Sequence, residues 1–280
     1  MAWPTNASAF FLGLALYFFL AGAVLSLAGV TIGSRARWLI WLAYLAIALG
    51  ATAETVIIAH RWAVGGHPPL SGLFDATIFF AWTTVVAFAV GEIAFRPRWL
   101  AFLVSAAELA FVLYASDLDV AIRPLMPVLK SAWLTIHVFC YMIGYGVLTI
   151  ASFAAIVFYA YYFIQGNNET TRRFESLTYR FVAFGFPLLT AGVLTGAVWA
   201  NRTWGHYWSW DPKETWSLIT WIVYAAFLHL RLWSRTWKMA PERRSVALNW
   251  LAILGFVAIV FTFLFLKYLP SASESQHIYL

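Results

Sequence analysis

Residues 8–31 read SAFFLGLALYFFLAGAVLSLAGVT, an unbroken run without one Asp, Glu, Lys or Arg. A helix rises 1.5 Å per residue, so about 20 such residues cross a hydrocarbon core of about 30 Å while satisfying their own backbone hydrogen bonds. The run exceeds a secretory h-region and no Lys or Arg precedes it, so it is read as a retained membrane helix. Comparable runs recur near 38–59, 75–95, 99–115, 132–164, 180–200, 214–233 and 247–267. The fourth is short and carries Glu108; the fifth is longer than a span needs and must tilt or project. The expected fold class is therefore an all-α integral membrane protein, a polytopic bundle of about eight transmembrane helices, with residues 1–280 forming a single membrane domain.

Composition agrees. The 280 residues are 62% hydrophobic and 11% charged, with a mean hydropathy of +0.77, whereas soluble domains carry about 25% charged residues. No repeat, low-complexity linker or long soluble loop interrupts the runs. The largest breaks are QGNNETTRRFES (165–176) and SRTWKMAPERRS (234–245), both rich in turn formers and charge. Neither can hold a catalytic domain, so any chemistry lies within the bundle or at its rim.

Eight spans sort the basic residues into two sets. Arg35, Arg37, Arg96, Arg98, Arg172, Arg173, Arg180, Arg231, Arg235, Lys238, Arg243 and Arg244 fall on one side; Arg61, Arg123, Lys130, Arg202, Lys213 and Lys267 fall on the other. The richer side is expected to be cytoplasmic, which puts both termini on the extracytoplasmic side. The formal charge of +6 then reflects topology, with no nucleic-acid partner implied.

Ionisable residues in a span carry a functional hypothesis by default. Of the six histidines, His60 and His67 lie in or beside the first outward loop, His137 about two turns into the fifth span, His206 in the sixth–seventh connection and His277 in the tail. Only His229 lies deep, about 24 Å inward along the seventh span. Imidazoles from distant segments can ligate zinc, copper or haem iron, but any one of them can equally be an interhelical hydrogen-bonding residue. The closed zinc patterns are missing, and the single Cys140 excludes an internal disulfide. Glu54 and Glu108 are read as an interhelical hydrogen bond in preference to a proton path.

Residues 204–216, WGHYWSWDPKETW, exceed what an interfacial aromatic belt requires. The segment offers a broad aromatic surface edged by indole N–H donors and charges, suited to a flat apolar ligand bearing carboxylates. Asp211-Pro212 reads as a helix entry, with Asp as N-cap and Pro at the first helical position.

The stretch WGHYWSWDPKETWSLITWIVYAAFLH resembles the tryptophan-rich "WWD" segment of haem-handling membrane proteins of cytochrome c biogenesis, in particular the CcsA (ResC) family of system II. Its DPKETW continuation differs from that of the CcmC and CcmF relatives. GHPPLSGLFDATIFFAW (66–82) is similar to a further family segment, with Gly72, Phe74 and Asp75 where Asn, Tyr and Glu are usual. SAWLTIHVFCYMIGYG (131–146) is similar to the segment bearing the family's first external haem histidine, which maps to His137. SQHIYL (275–280) stands where the family closes with its second, mapping to His277 but with Ile278 in place of Ser. AAFLHLR (225–231) maps the intramembrane histidine to His229.

The resemblance implies haem b as substrate, held between His137 and His277 against Trp204, Trp208, Trp210, Asp211 and Trp216, with residues 199–216 as the extracytoplasmic haem-binding segment. It implies a haem lyase activity shared with a CcsB/ResB-type membrane subunit, in which apocytochrome c CxxCH thiols attack the haem vinyls. No residue of this chain is needed as a nucleophile, since positioning two reactants can supply about 7–11 kcal/mol. Arg202 or Lys213 would pair with haem propionates, His67 would shape its loop, and His206 would be an exposed passenger. The implied location is a plasma, inner or thylakoid membrane with the active face outward. Two alternatives remain at this point: a haem exporter that hands its cargo to a separate ligase, and an ion or solute transporter using Glu54, Glu108 and the histidines.

Overall fold

The protein, seen in a computed structural model, is described for residues 7–70, 72–95, 98–234 and 236–266, with the Ser34 side chain excepted. His277, Arg96, Arg235 and Lys267 lie outside the described residues. Among the described residues eight helices are long and apolar enough to cross a membrane. They are α1 Ala7–Ile32, α2 Arg37–Gly65, α3 Leu73–Phe95, α4 Arg98–Ser116, α5 Ala132–Gln165, α6 Glu169–Trp204, α7 Pro212–Trp233 and α8 Pro241–Val260. A single π turn, Phe261–Phe265, extends α8.

Two helices start well before their apolar runs. α6 opens at Glu169 through a capping box in which Thr171 N donates to Asn168 Oδ1 (3.0 Å) and Asn168 N to Thr171 Oγ1 (2.8 Å). Its first turns bury Thr171, Phe174, Glu175, Leu177 and Thr178 at helical spacing, a face too polar to register as hydrophobic. α8 likewise opens at Pro241, and its early buried positions are Ser245 and Asn249. α5, at 34 residues, is about 51 Å long at 1.5 Å per residue and exceeds a straight span.

The helices form two compact units, one ending at Lys130 and the other starting at Ser131. In the first, α1 packs on α2 and α4, and α3 packs on the same pair. Small residues permit the approach: a β-carbon on Gly50 would stand 2.7 Å from the Phe19 ring, and Phe19 is wholly buried. Glu54 of α2 and Glu108 of α4 are fully buried, and among the described residues their four carboxyl oxygens have no hydrogen-bond partner, so the expected interhelical hydrogen bond is not formed.

The residues at 74 and 75, where the sequence departs from the family pattern, fasten the loops of this unit. Arg61 Nε donates to Asp75 Oδ1 and Arg61 Nη1 to Val120 O (2.7 Å), with the guanidinium 4.7 Å from the Phe74 ring. Both members of the ion pair are buried.

In the second unit α5 packs between α6 and α8, and α7 packs on α8 and α6. Polar bonds tie the bundle: Ser152 Oγ donates to Ala252 O (2.8 Å), and Thr178 Oγ1 donates to Asn249 Oδ1 (3.0 Å). Glu175 accepts from Arg231 Nη1 (2.6 Å) and Ser245 Oγ (2.5 Å), with Arg244 Nη2 at 3.5 Å. That cluster lies where α6 and α8 begin and α7 ends, opposite the tryptophan segment.

Candidate haem site

α5 begins, α6 ends and α7 begins at one end of the second unit. His137, two turns into α5, is half-buried there, and its Nδ1 lies 2.7 Å from Gly192 O of α6. A carbonyl only accepts, so Nδ1 carries the proton and the ring's lone pair is on Nε2. This is the tautomer that a metal-ligating histidine adopts when its other nitrogen is held by the backbone. Gly196, one turn further along α6, has no side chain because the imidazole occupies that space.

Two residues before α6 ends, Arg202 places its guanidinium 5.5 Å from the Trp133 ring, one turn before His137 on α5. The helix then stops at Gly205, whose φ of 84° is left-handed and favours glycine. Trp199 and Trp204 meet edge to face at 4.8 Å, and Trp204 lies nearly parallel to the His206 imidazole at 6.5 Å. His206 is therefore half-buried against an indole, where the sequence reading expected an exposed passenger. The expected role of His67 fits better: its Nδ1 lies 3.0 Å from Pro68 O and holds that loop.

Trp208 and Trp210 form an edge-to-face pair at 5.8 Å. Trp210 has a φ of 61° and is 70% exposed. A non-glycine residue in that region bears roughly 1–2 kcal/mol of strain, and here no burial of the indole offsets it. The loop is held in this form by Glu214, whose Oε2 accepts from Ser209 N (2.7 Å), Ser209 Oγ (3.2 Å) and Asp211 N (3.2 Å). Asp211 is buried and accepts from Lys213 N (2.8 Å), completing the capping box with Pro212 at the first helical position. The expected helix entry is present.

Trp216 packs on Phe261 with ring centroids 4.1 Å apart, which fixes the first turns of α7 against the end of α8. His229 lies toward the other end of α7, about 26 Å from its start. It is exposed, its Nδ1 lies 2.7 Å from Ala225 O, and its ring is 4.7 Å from Trp233. Here too the lone pair is on Nε2.

Comparison with known proteins bears on the same region. Residues 70–272 match the family described as cytochrome C assembly protein. The chain is 35% identical over 264 residues to the cytochrome c biogenesis protein CcsA of Guillardia theta, covering 84% of this chain and 85% of that one. It is 32% identical over 292 residues to CcsA of Gloeobacter violaceus, covering 82% and 84%. The chain belongs to the CcsA family of cytochrome c biogenesis proteins. A solved structure of the cytochrome c haem lyase CcmF superposes with a TM-score of 0.67 at 21% identity, covering 99% of this chain and 52% of that one. At that identity the likeness concerns the fold, which both chains share.

For this CcsA-family chain, the geometry adds residues that motif reading passed over. Glu214, Gly192 and Gly196 hold the loop and the histidine in place. Glu214 had a visible signal, since an acid three residues after Asp211 completes a capping box. The two glycines had none, because nothing in one sequence says which side chain will lie over them.

Proposed function

We propose that this chain is the haem-handling subunit of a cytochrome c synthase, active on the extracytoplasmic face of a plasma, inner or thylakoid membrane, with both termini on that face. Haem b is its substrate. The iron is bound at an outer site by His137 and His277, with the porphyrin against Trp204, Trp208 and Trp210. Asp211 and Glu214 keep those indoles in register, Trp216 anchors the helix behind them, and Arg202 and Lys213 pair with the propionates. A CxxCH segment of apocytochrome c then meets the haem vinyls, and its thiols add across them to form thioethers.

The observation that carries this reading is the His137 imidazole, fixed by Gly192 O with its lone pair on Nε2, at the same end of the unit as a strained tryptophan loop. His229 serves as an inner ligand. Its exposure on α7 suits a site completed by a second membrane subunit of the CcsB/ResB type, because α7 is the least buried of the eight described spans.

The test is the visible spectrum of the complex co-expressed with that partner, for wild type and for His137→Ala, His277→Ala and His229→Ala. The expected result is a low-spin Soret band that weakens in each variant, with the two external changes acting on one component. A colourless wild-type complex, or a spectrum indifferent to all three substitutions, would exclude the ligand assignment. Haem binding without attachment to a CxxCH acceptor would leave a carrier in place of a lyase.

A further inference from the structure

We propose that Tyr141 is the positioning residue of the outer haem site: its ring, seated on Gly192, fixes the plane of the His137 imidazole. The inference rests on His137 being an iron ligand. Tyr141 follows His137 by four residues on α5, so the two side chains share a face. Their rings meet at 4.8 Å with an interplanar angle of 61°.

Gly192 serves both residues. Its carbonyl accepts from His137 Nδ1 at 2.7 Å, while its bare Cα is the seat of the Tyr141 ring. A β-carbon there would stand 2.5 Å from Tyr141 Cδ2 and 2.8 Å from Cε2. Tyr145 backs the ring from the next turn at 5.2 Å, so Tyr141 cannot withdraw along α5. The torsion that swivels an imidazole is soft and broad, and one hydrogen bond at Nδ1 does not define the ring plane. The edge contact with the Tyr141 ring and the close approach of Gly196 do.

Tyr141 is itself buried, so the wall it gives the imidazole is fixed. Orientation of the ligand plane and its outer hydrogen bonds tune the iron, so the seat of Tyr141 on Gly192 is read at the metal.

The experiment uses the complex co-expressed with its partner. Haem at the outer site is the Soret component lost in His137→Ala, and haem at the inner site, the component lost in His229→Ala, reports on folding in the same sample. Tyr141→Leu should weaken retention of outer haem by about 10-fold or more and leave the inner component unchanged. Tyr141→Phe, which keeps the ring, should keep the outer haem. An outer component and potential untouched in Tyr141→Leu would overturn the proposal, as would an equal loss of both components, which marks a folding role alone. If His137→Ala itself leaves the spectrum intact, the ligand reading fails, and that result is distinct from either.

Discussion

Gly196 of α6 lies directly beneath the His137 imidazole of α5, so close that a β-carbon at 196 would occupy the space of Nδ1 and Cε1. Nothing flexible stands in that contact except the histidine itself. A side chain at 196 must therefore displace the ring and break its bond to Gly192 O.

Gly196→Ala should mimic His137→Ala in the haem spectrum although no ligand is removed. The outer Soret component should fall by about 10-fold or more, as expected when a ligand loses its orienting partner, while the complex still assembles. Pulldown of the partner together with the visible spectrum checks it; an unchanged spectrum would show that the ring has another place to go.

Glu214→Ala should free the tryptophan loop. It removes the acceptor of Ser209 N, Ser209 Oγ and Asp211 N, and loss of such a cap is worth about 1 kcal/mol. Because Trp210 is strained at φ 61°, the loop should relax once released. The measurable outcome is faster amide exchange at 205–211 and a lower yield of holocytochrome, with Glu214→Gln intermediate because an amide oxygen still accepts.

Arg61→Ala should destabilise the first unit strongly. The guanidinium is buried against Asp75 and Phe74 and also donates to Val120 O, and breaking a buried pair from one side typically costs about 3–5 kcal/mol. Reduced accumulation in the membrane is expected, and Asp75→Ala should act similarly. Arg61→Ala/Asp75→Ala should be milder than the sum of the two, since the shared bond is lost only once; full additivity would contradict the pairing.

A pH effect is expected in the α4–α5 connection. Asp119 Oδ1 accepts from Ala121 N (2.9 Å), and Oδ2 accepts from Arg123 Nη2 (2.6 Å). The backbone N–H of Ala121, followed by the Arg123 charge, holds this carboxyl below the ordinary aspartate value of 3.8. A depressed native pKa contributes local order in full above the unfolded value and loses it as pH falls through the native one. Protection of the Ala121 amide against exchange, taken relative to the intrinsic rate at each pH, should thus be flat from neutrality down to about pH 4 and fall below it, and Asp119→Asn should abolish the fall.

Much of this protein is determined by its sequence alone. Eight spans follow from run length, because a chain in hydrocarbon must satisfy its own backbone, and the tryptophan segment stands out because belt residues do not need such density. The Asp211-Pro212 helix start was legible from local chemistry that depends on neighbours in sequence. Tertiary structure decided what depends on neighbours in space. It moved the starts of α6 and α8 outward along faces too polar for a hydropathy reading. It turned Trp216 toward Phe261 and His206 onto Trp204, and it set two glycines under His137 and Tyr141. A glycine's role is the space it leaves, and only the helix packed against it says what fills that space.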